Sequence, residues 1–97
     1  MVFENAIFTI PEHQRAEFVA TVQSVGGDFL TWPGCSGVRL LHCVEVPERF
    51  ILVIEWESID SHMGYRASDG FTRWRDATAH FRDTPVDMTH YEVVAAH

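Results

Sequence analysis

Three polar side chains in this chain are candidates for chemistry: Asn5, His62 and Tyr65. The imidazole of His62 has an ordinary pKa of about 6.5, so it could act as a general base at neutral pH. A buried Asn5 could hydrogen-bond a developing oxyanion, and a buried Tyr65 could orient a phenolic substrate. Structural roles stay open, because a buried amide can tie down a helix end and a lone helical histidine is commonly a surface or packing residue. We predict Asn5, Tyr65 and His62 as catalytic residues.

Large aromatic residues accompany these candidates in the stretch from Phe50 to Phe81. Trp56, Phe71 and Trp74 could form the wall of a pocket that holds a flat ring by stacking. The same residue types are commonly core in a small domain, so both interpretations stay open for the two tryptophans. We predict Trp56, Phe71 and Trp74 as substrate-binding residues.

Three arginines, Arg66, Arg73 and Arg75, lie in the same region. They could bind an anionic substrate, or they could form solvated ion pairs with Asp69 and Asp76 at helical spacing. No two histidines stand at i, i+4 and no Cys/His cluster has zinc spacing, so we predict no metal site. No glycine-rich phosphate loop follows a strand, which argues against nucleotide binding.

The composition is that of a small acidic domain. The 97 residues carry 14 acidic side chains against 7 basic ones, all arginine, for a net charge of −7. Nucleic acids and anionic membranes attract basic stripes and segments, so neither is an expected partner. On one extended strand, Cys35 and Cys43 would lie ~26 Å apart, too far for a disulfide. Free thiols and the absence of a signal-peptide pattern favour a cytoplasmic protein.

The apolar periodicity predicts a single domain over residues 1–97. The predicted strands are Val2–Ile10, Cys35–Glu45, Phe50–Trp56 and Met88–Ala95, and the predicted helical regions are Glu12 to about Leu30 and Ser58–Arg82. This β-α-β-β-α-β order predicts a ferredoxin-like α+β fold, with helices on one face of a four-stranded antiparallel sheet. The nearly all-apolar third strand is expected inside the sheet. The other face of the sheet is also apolar, so we expect a second copy of the chain to cover it.

Local signals predict where the helices begin, weaken and end. Ser58 and Ser68 are expected N-caps of two helical segments. Gly26-Gly27 is expected to weaken the first helix, and Gly37 indicates a bulge in the second strand.

Two segments, PGCSGVRLL at residues 33–41 and FILVIEWES at residues 50–58, together with Tyr65 and Phe71, carry a family resemblance. They resemble the antibiotic biosynthesis monooxygenase family of dimeric α+β barrels, and the match in element order covers nearly the whole chain. The resemblance implies a homodimer whose two sheets meet face to face, with a pocket in each subunit between sheet and helices. It also implies cofactor-free oxidation of quinols, anthrones or polyketide intermediates.

A haem-degrading branch of the same family carries an Asn on the first strand, a Trp in the second helical region and a His that ligates iron. Asn5 matches that Asn, Tyr65 occupies the Trp position, and the His position falls on Trp74 or Arg75. The missing axial ligand counts against haem degradation. The resemblance then implies a small cofactor-independent monooxygenase that oxidises an electron-rich aromatic substrate with dioxygen. The alternatives are a haem-binding or haem-degrading relative with an altered ligand, and a non-catalytic dimeric module that binds a small ligand.

Overall fold

The structure is a computed structural model that describes residues 1–97. Its strands are β1 (Val2–Thr9), β2 (Cys35–His42), β3 (Arg49–Trp56) and β4 (Asp87–Tyr91), and its α-helices are α1 (Arg15–Val25), α2 (Ile59–Arg66) and α3 (Asp69–Thr78). Three 3-10 segments accompany the helices, at Glu12–Gln14, Gly26–Thr31 and Ala79–Phe81. The strands form one antiparallel sheet in the order β2-β3-β1-β4. The predicted ferredoxin-like α+β fold, with β3 inside the sheet, is confirmed.

Alternate residues of the central strands face opposite sides of the sheet. The residues that face the helices, such as Ala6 and Phe8 of β1 and Leu52 of β3, are buried. Residues on the other side are half-buried or exposed in the single chain. This side, here called the open face, includes Phe3, Asn5, Ile7, Leu41, Ile51, Val53, Glu55 and Tyr91.

An aromatic cluster attaches α1 to the sheet. The ring of Phe18, at 0% exposure, lies 5.0 Å from the ring of Phe8 and 5.2 Å from those of Phe50 and Phe81. These residues come from α1, both central strands and the segment after α3. The cluster therefore fills the core between the sheet, α1 and the segment after α3.

Serine side chains begin α2 and α3. The Oγ of Ser58 accepts from the backbone N–H of Ser61 at 3.1 Å, and the Oγ of Ser68 accepts from that of Phe71 at 3.4 Å. Both predicted caps are confirmed. No helix of the structure combines the length and apolar character that crossing a membrane requires.

The two predicted glycine effects are also confirmed. The α-helix ends at Val25, and the chain continues from Gly26 as a 3-10 segment. The register between β2 and β3 is irregular between Cys35 and Gly37. The change of helix type carries Phe29 into the core, where its ring lies 4.9 Å from that of Tyr65.

Three predicted elements are too long. The structure ends β2 at His42, α3 at Thr78 and β4 at Tyr91, where the pattern predicts Glu45, Arg82 and Ala95. For β4 the reason lies in the ladder, because Tyr91 already pairs with Phe3 near the start of β1. Only Val2 of β1 remains beyond that point, so most of the apolar sequence after Tyr91 has no strand to pair with.

Candidate functional site

A cavity of about 170 Å³ lies between the sheet and α3. We call it the α3 cavity. Phe71 and Trp74 form its aromatic wall, and Ala6 and Met88 contribute from the sheet. Its lining also includes four ionisable side chains, Glu4, Arg66, Arg75 and Arg82. A flat apolar wall with a few converging charges is the composition of a small-ligand site.

None of the three cavity arginines forms a salt bridge. The guanidinium carbons of Arg66 and Arg75 lie 5.6 and 5.9 Å from the Phe71 ring centre. Arg82 donates from Nε and Nη2 to Thr78 Oγ1, at 3.2 and 3.0 Å. Burial, and then the charge of Arg75, lower the pKa of Arg82 to about 10, so it remains charged at neutral pH. Three positive charges therefore surround the cavity without a carboxylate partner of their own.

The expected ion pairs of Arg66, Arg73 and Arg75 with Asp69 and Asp76 do not form, so that prediction is wrong. Arg73 donates to Asp28 Oδ2 from Nε at 3.3 Å and from Nη2 at 2.9 Å, and it lies outside the α3 cavity. This exposed pair connects α3 to the 3-10 segment after α1, and exposed pairs of this kind contribute little to stability. Arg73 and Arg75 thus lie close together on one helix but have different surroundings.

A carboxylate and two histidines meet beside the cavity. Glu4 of β1 stands opposite His90 of β4 in the sheet. His62 of α2 lies between them, with Nε2 at 3.1 Å from Glu4 Oε1 and Nδ1 at 2.7 Å from His90 Nε2. Trp56 Nε1 donates to the same Glu4 oxygen at 3.0 Å, and its indole stacks on the His62 ring at 4.9 Å. We call Glu4, His62 and His90 the Glu–His–His cluster.

Burial favours the uncharged forms of Glu4 and His62. At 8% exposure, burial raises the pKa of Glu4 above 4.5, against the opposing effects of the Trp56 hydrogen bond and the Arg66 charge. At 3% exposure, burial, followed by His90 and Arg66, lowers the pKa of His62 from 6.5 to about 4. His62 is therefore neutral at pH 7, with each ring nitrogen facing a partner in the cluster. The member of the cluster that lines the cavity is Glu4.

Neither Glu4 nor His90 is among the residues that the sequence singles out. The sequence contains one indication that Glu4 is a site residue. Glu4 shares a strand face with Ala6 and Phe8, so it is an acid among buried apolar residues. His90 carries no comparable signal. Its meeting with Glu4 depends on the register between β1 and β4.

The predicted substrate-binding residues divide between cavity and core. Phe71 and Trp74 line the α3 cavity as expected for a wall. Trp56, at 0% exposure, is a core residue that does not line it. Its indole donates a hydrogen bond to Glu4 and stacks on the His62 ring, so Trp56 positions both residues from within the core.

The predicted catalytic residues do not converge on one point. Asn5 lies on the open face, opposite Val53 and Thr89 in the neighbouring strands, so the sheet separates it from the α3 cavity. Tyr65 is a core residue at 2% exposure and does not line the cavity. His62 contacts the cavity only through Glu4.

Tyr65 Oη is buried without a hydrogen-bond partner, and burial raises the pKa of Tyr65 to about 12. We expect Tyr65→Phe to raise the free energy of unfolding by about 1 kcal/mol or more, because it removes an unpaired polar atom from the core. Urea unfolding measures the change. Thr72→Val, which removes an exposed hydroxyl from α3, is the control and should change the free energy of unfolding by less than about 0.5 kcal/mol. A Tyr65→Phe protein that is less stable than wild type would show that the Tyr65 hydroxyl has a hydrogen-bond partner.

A family model described as antibiotic biosynthesis monooxygenase matches residues 1–83. The chain belongs to this family. Family membership supports a monooxygenase-like function in general terms.

Individual relatives of the family agree in fold along nearly the whole chain. A solved structure from Bordetella bronchiseptica, of the antibiotic biosynthesis monooxygenase type, is 32% identical, covers 97% of both chains and has a TM-score of 0.91. A conserved protein from Methanosarcina mazei is 20% identical, with a TM-score of 0.83 over 94% of this chain and 90% of its own. Protein YczJ of Bacillus subtilis is 25% identical over 95 residues, which is 97% of this chain and 100% of that one.

The residues of the α3 cavity do not fit haem ligation. The position of the iron ligand in the haem-degrading branch of this family falls on Trp74 or Arg75, and neither side chain ligates iron. Both ring nitrogens of His62 face Glu4 and His90. No group of three or more His, Cys, Asp or Glu side chains is arranged to hold a metal ion.

A second cavity of about 790 Å³ lies between α1 and β2. Its walls are largely aliphatic, from residues such as Val19, Leu30 and Leu40. Its basic side chains are Arg15 and His42, and none of its lining residues is a carboxylate. This α1 cavity contains none of the residues that the sequence predicts for chemistry.

Proposed function

We propose that the protein is a cofactor-independent monooxygenase that oxidises an electron-rich aromatic substrate, such as a quinol or an anthrone, in the α3 cavity. The observation that carries the proposal is the lining of this cavity, where two aromatic side chains stand beside three unpaired guanidinium groups and one buried carboxylate. The aromatic residues suit a flat ring by stacking. The arginines suit the anion that forms when the ring loses a proton.

The chemistry follows from the properties of such an anion. Deprotonation makes the aromatic electron-rich enough to give one electron to dioxygen, and the two resulting radicals combine into a hydroperoxide. Loss of water from a hydroperoxide at a ring CH2 leaves a carbonyl. One oxygen atom enters the product, and the other leaves as water with the two hydrogens of the CH2 group. The protein's task is to favour the anion and to orient it.

The cavity residues divide this task between them. Phe71 and Trp74 hold the ring, and the positive charges of Arg66, Arg75 and Arg82 lower the free energy of the anion. Glu4 is the carboxylate next to the ring and is the group that receives its proton. Its raised pKa makes it a stronger base than an exposed glutamate.

The working unit in this proposal is a cytoplasmic homodimer formed through the open face. Members of the family are commonly dimeric. The open face carries Phe3, Ile7, Ile51 and Val53, which are only half-buried in the single chain. Covering them would bury apolar surface that a domain of this size needs for stability.

The second candidate function is non-catalytic binding of a small apolar ligand. The volume of the α1 cavity and its aliphatic walls favour this alternative. A binding module would retain aromatic or aliphatic compounds without changing them.

Oxygen consumption separates the two candidates. A panel of quinols and anthrones is added to the protein without cofactor, and the uptake of dioxygen and the mass of the product are measured. Uptake with incorporation of one ¹⁸O atom supports the monooxygenase. Binding of panel members without uptake supports the binding module instead.

A pair of variants on α3 tests which cavity is used. We expect Arg75→Gln to raise KM for the aromatic substrate about tenfold, since one charged contact to an anion contributes roughly 1.4 kcal/mol or more. The matched control is Arg73→Gln, which loses the same charge outside the α3 cavity. Steady-state oxygen uptake measures both. Equal changes in KM in the two variants would show that the substrate does not bind in the α3 cavity.

A further inference from the structure

We propose that the Glu–His–His cluster is a proton relay, which carries the proton released by the substrate from the α3 cavity through His62 to His90. The inference rests on the proposed function, because it names the path of the proton that the substrate gives up before oxidation and regains when water forms. His90 lies on β4, an edge strand of the sheet, and is only partly buried. The relay therefore joins the carboxylate of the α3 cavity to a partly buried histidine at the sheet edge.

The distances within the cluster form an unbroken path. From Glu4 Oε1 to His62 Nε2 the separation is 3.1 Å, and from His62 Nδ1 to His90 Nε2 it is 2.7 Å. The second contact is a hydrogen bond, and the first is an ion-pair contact at a distance within the hydrogen-bonding range. Glu4 Oε1 also accepts the Trp56 N–H, while Oε2 makes no hydrogen bond within the protein. One carboxylate oxygen is thus held by the cluster and the other is free for the ligand in the cavity.

One proton enters the relay and one leaves it. The ring C–H or O–H bond of the substrate breaks, and its proton passes to Glu4 Oε2. The carboxylic acid then gives a proton to His62 Nε2, and His62 gives its Nδ1 proton to His90 Nε2. His90 releases a proton from Nδ1 to solvent, which leaves both rings in the opposite tautomers. When the hydroperoxide forms and loses water, one proton returns along the same path from solvent to Glu4. The rings then regain their starting tautomers, and the complete reaction releases no proton.

The surroundings of the cluster keep a proton from remaining on His62. Burial raises the pKa of Glu4 and lowers that of His62, and the charges of His90 and Arg66 lower the pKa of His62 further, so His62 passes a proton on rather than holding it. Arg66 of α2 faces both groups, and Trp56 of β3 faces them with its N–H and its ring. The other ionisable groups near Glu4 are Tyr65 of α2, Cys35 at the start of β2, and Arg75 and Arg82 in the cavity lining.

The first test needs no substrate. In ¹⁵N-labelled wild-type protein, the ring nitrogens of His62 and His90 are followed by NMR between pH 4 and pH 8. We expect the two rings to report a shared proton between His62 Nδ1 and His90 Nε2, and the His62 signals to shift in Glu4→Gln. Independent titration of the two rings, with no response to Glu4→Gln, would overturn the relay.

The second test measures turnover at low and high buffer concentration. We expect His90→Gln to lower kcat at least about tenfold in dilute buffer with little change in KM, and added imidazole to restore the rate. Glu4→Gln should lose about a hundredfold or more in kcat without rescue by imidazole, because the group that takes the first proton is absent. His80→Gln, at an exposed histidine paired with Glu17, is the control and should behave as wild type.

The outcomes distinguish the relay from the reaction it serves. A wild-type kcat for His90→Gln in dilute buffer would contradict the relay but not the proposed monooxygenase activity. If the panel of aromatics gives no turnover at all, the proposed function fails, and the NMR measurement alone decides whether the proton-sharing cluster exists.

Discussion

The Glu4→Gln variant should lose about 3 kcal/mol of its free energy of unfolding between pH 7 and pH 4, whereas the wild-type protein should lose less. The His62 pKa falls from 6.5 to about 4 on folding. The folded state therefore disfavours protonated His62, and the stability present above pH 6.5 is lost as the pH falls toward 4. A shift of that size corresponds to about 3 kcal/mol.

Glu4 acts in the opposite direction in the wild-type protein. Its folded pKa is raised above 4.5, so burial costs stability where Glu4 is ionised, and that stability returns as the pH falls and Glu4 is protonated. In the pH interval where both groups titrate, the stability lost through His62 and the stability gained through Glu4 partly cancel. Glu4→Gln keeps an oxygen that can accept the Trp56 N–H. It removes the carboxyl group whose protonation offsets the destabilising protonation of His62.

Urea unfolding at a series of pH values between 4 and 7 measures this difference. The matched control is Glu12→Gln, which removes an exposed carboxylate that makes no side-chain hydrogen bond or salt bridge and should leave the wild-type profile unchanged. In His62→Gln only the Glu4 titration remains, so stability should rise as the pH falls. Parallel profiles for Glu4→Gln and wild type would show that Glu4 is not buried as the structure places it.

Local signals account for the parts of the fold that the sequence predicts. The caps at Ser58 and Ser68, the break at Gly26 and the bulge at Gly37 all depend on neighbours a few residues away. The apolar run of β3 marks an inner strand for the same reason. These elements, taken in order, leave few possible arrangements besides the ferredoxin-like sheet.

The candidate site depends on contacts that local patterns do not contain. His62 and His90 are separated by 28 positions in the chain, and Trp56 and Glu4 by 52. Alternation along β1 puts Asn5 and Glu4 on opposite faces, but both faces are apolar, so the pattern does not reveal which one the helices cover. Likewise, an aromatic residue type does not distinguish a cavity wall such as Trp74 from a core residue such as Trp56.

Ile51→Arg should convert the proposed homodimer into a monomer. Ile51 lies on the open face of β3, between Ile7 of β1 and Leu41 of β2, in the middle of an apolar row. In a two-fold symmetric dimer each substitution occurs twice in one interface. An unpaired charge in such a place costs about 3–5 kcal/mol, which weakens association more than a hundredfold.

Light scattering or analytical ultracentrifugation at micromolar protein measures the change in mass. Ser24→Arg adds the same charge to an exposed position of α1 and should leave the dimer intact. A wild-type monomer, or an Ile51→Arg dimer, would exclude the open face as the interface.

The same variant decides whether the chemistry needs the second copy. Glu4 and every other residue that lines the α3 cavity belong to one chain and lie on the helix side of its sheet or beyond it. A folded Ile51→Arg monomer should therefore keep most of its oxygen uptake. Asn5 is on the other side of the sheet, where it would lie between the two subunits of the dimer. If the folded monomer loses uptake, then the open face takes part in the reaction, and Asn5 is the first residue there to test.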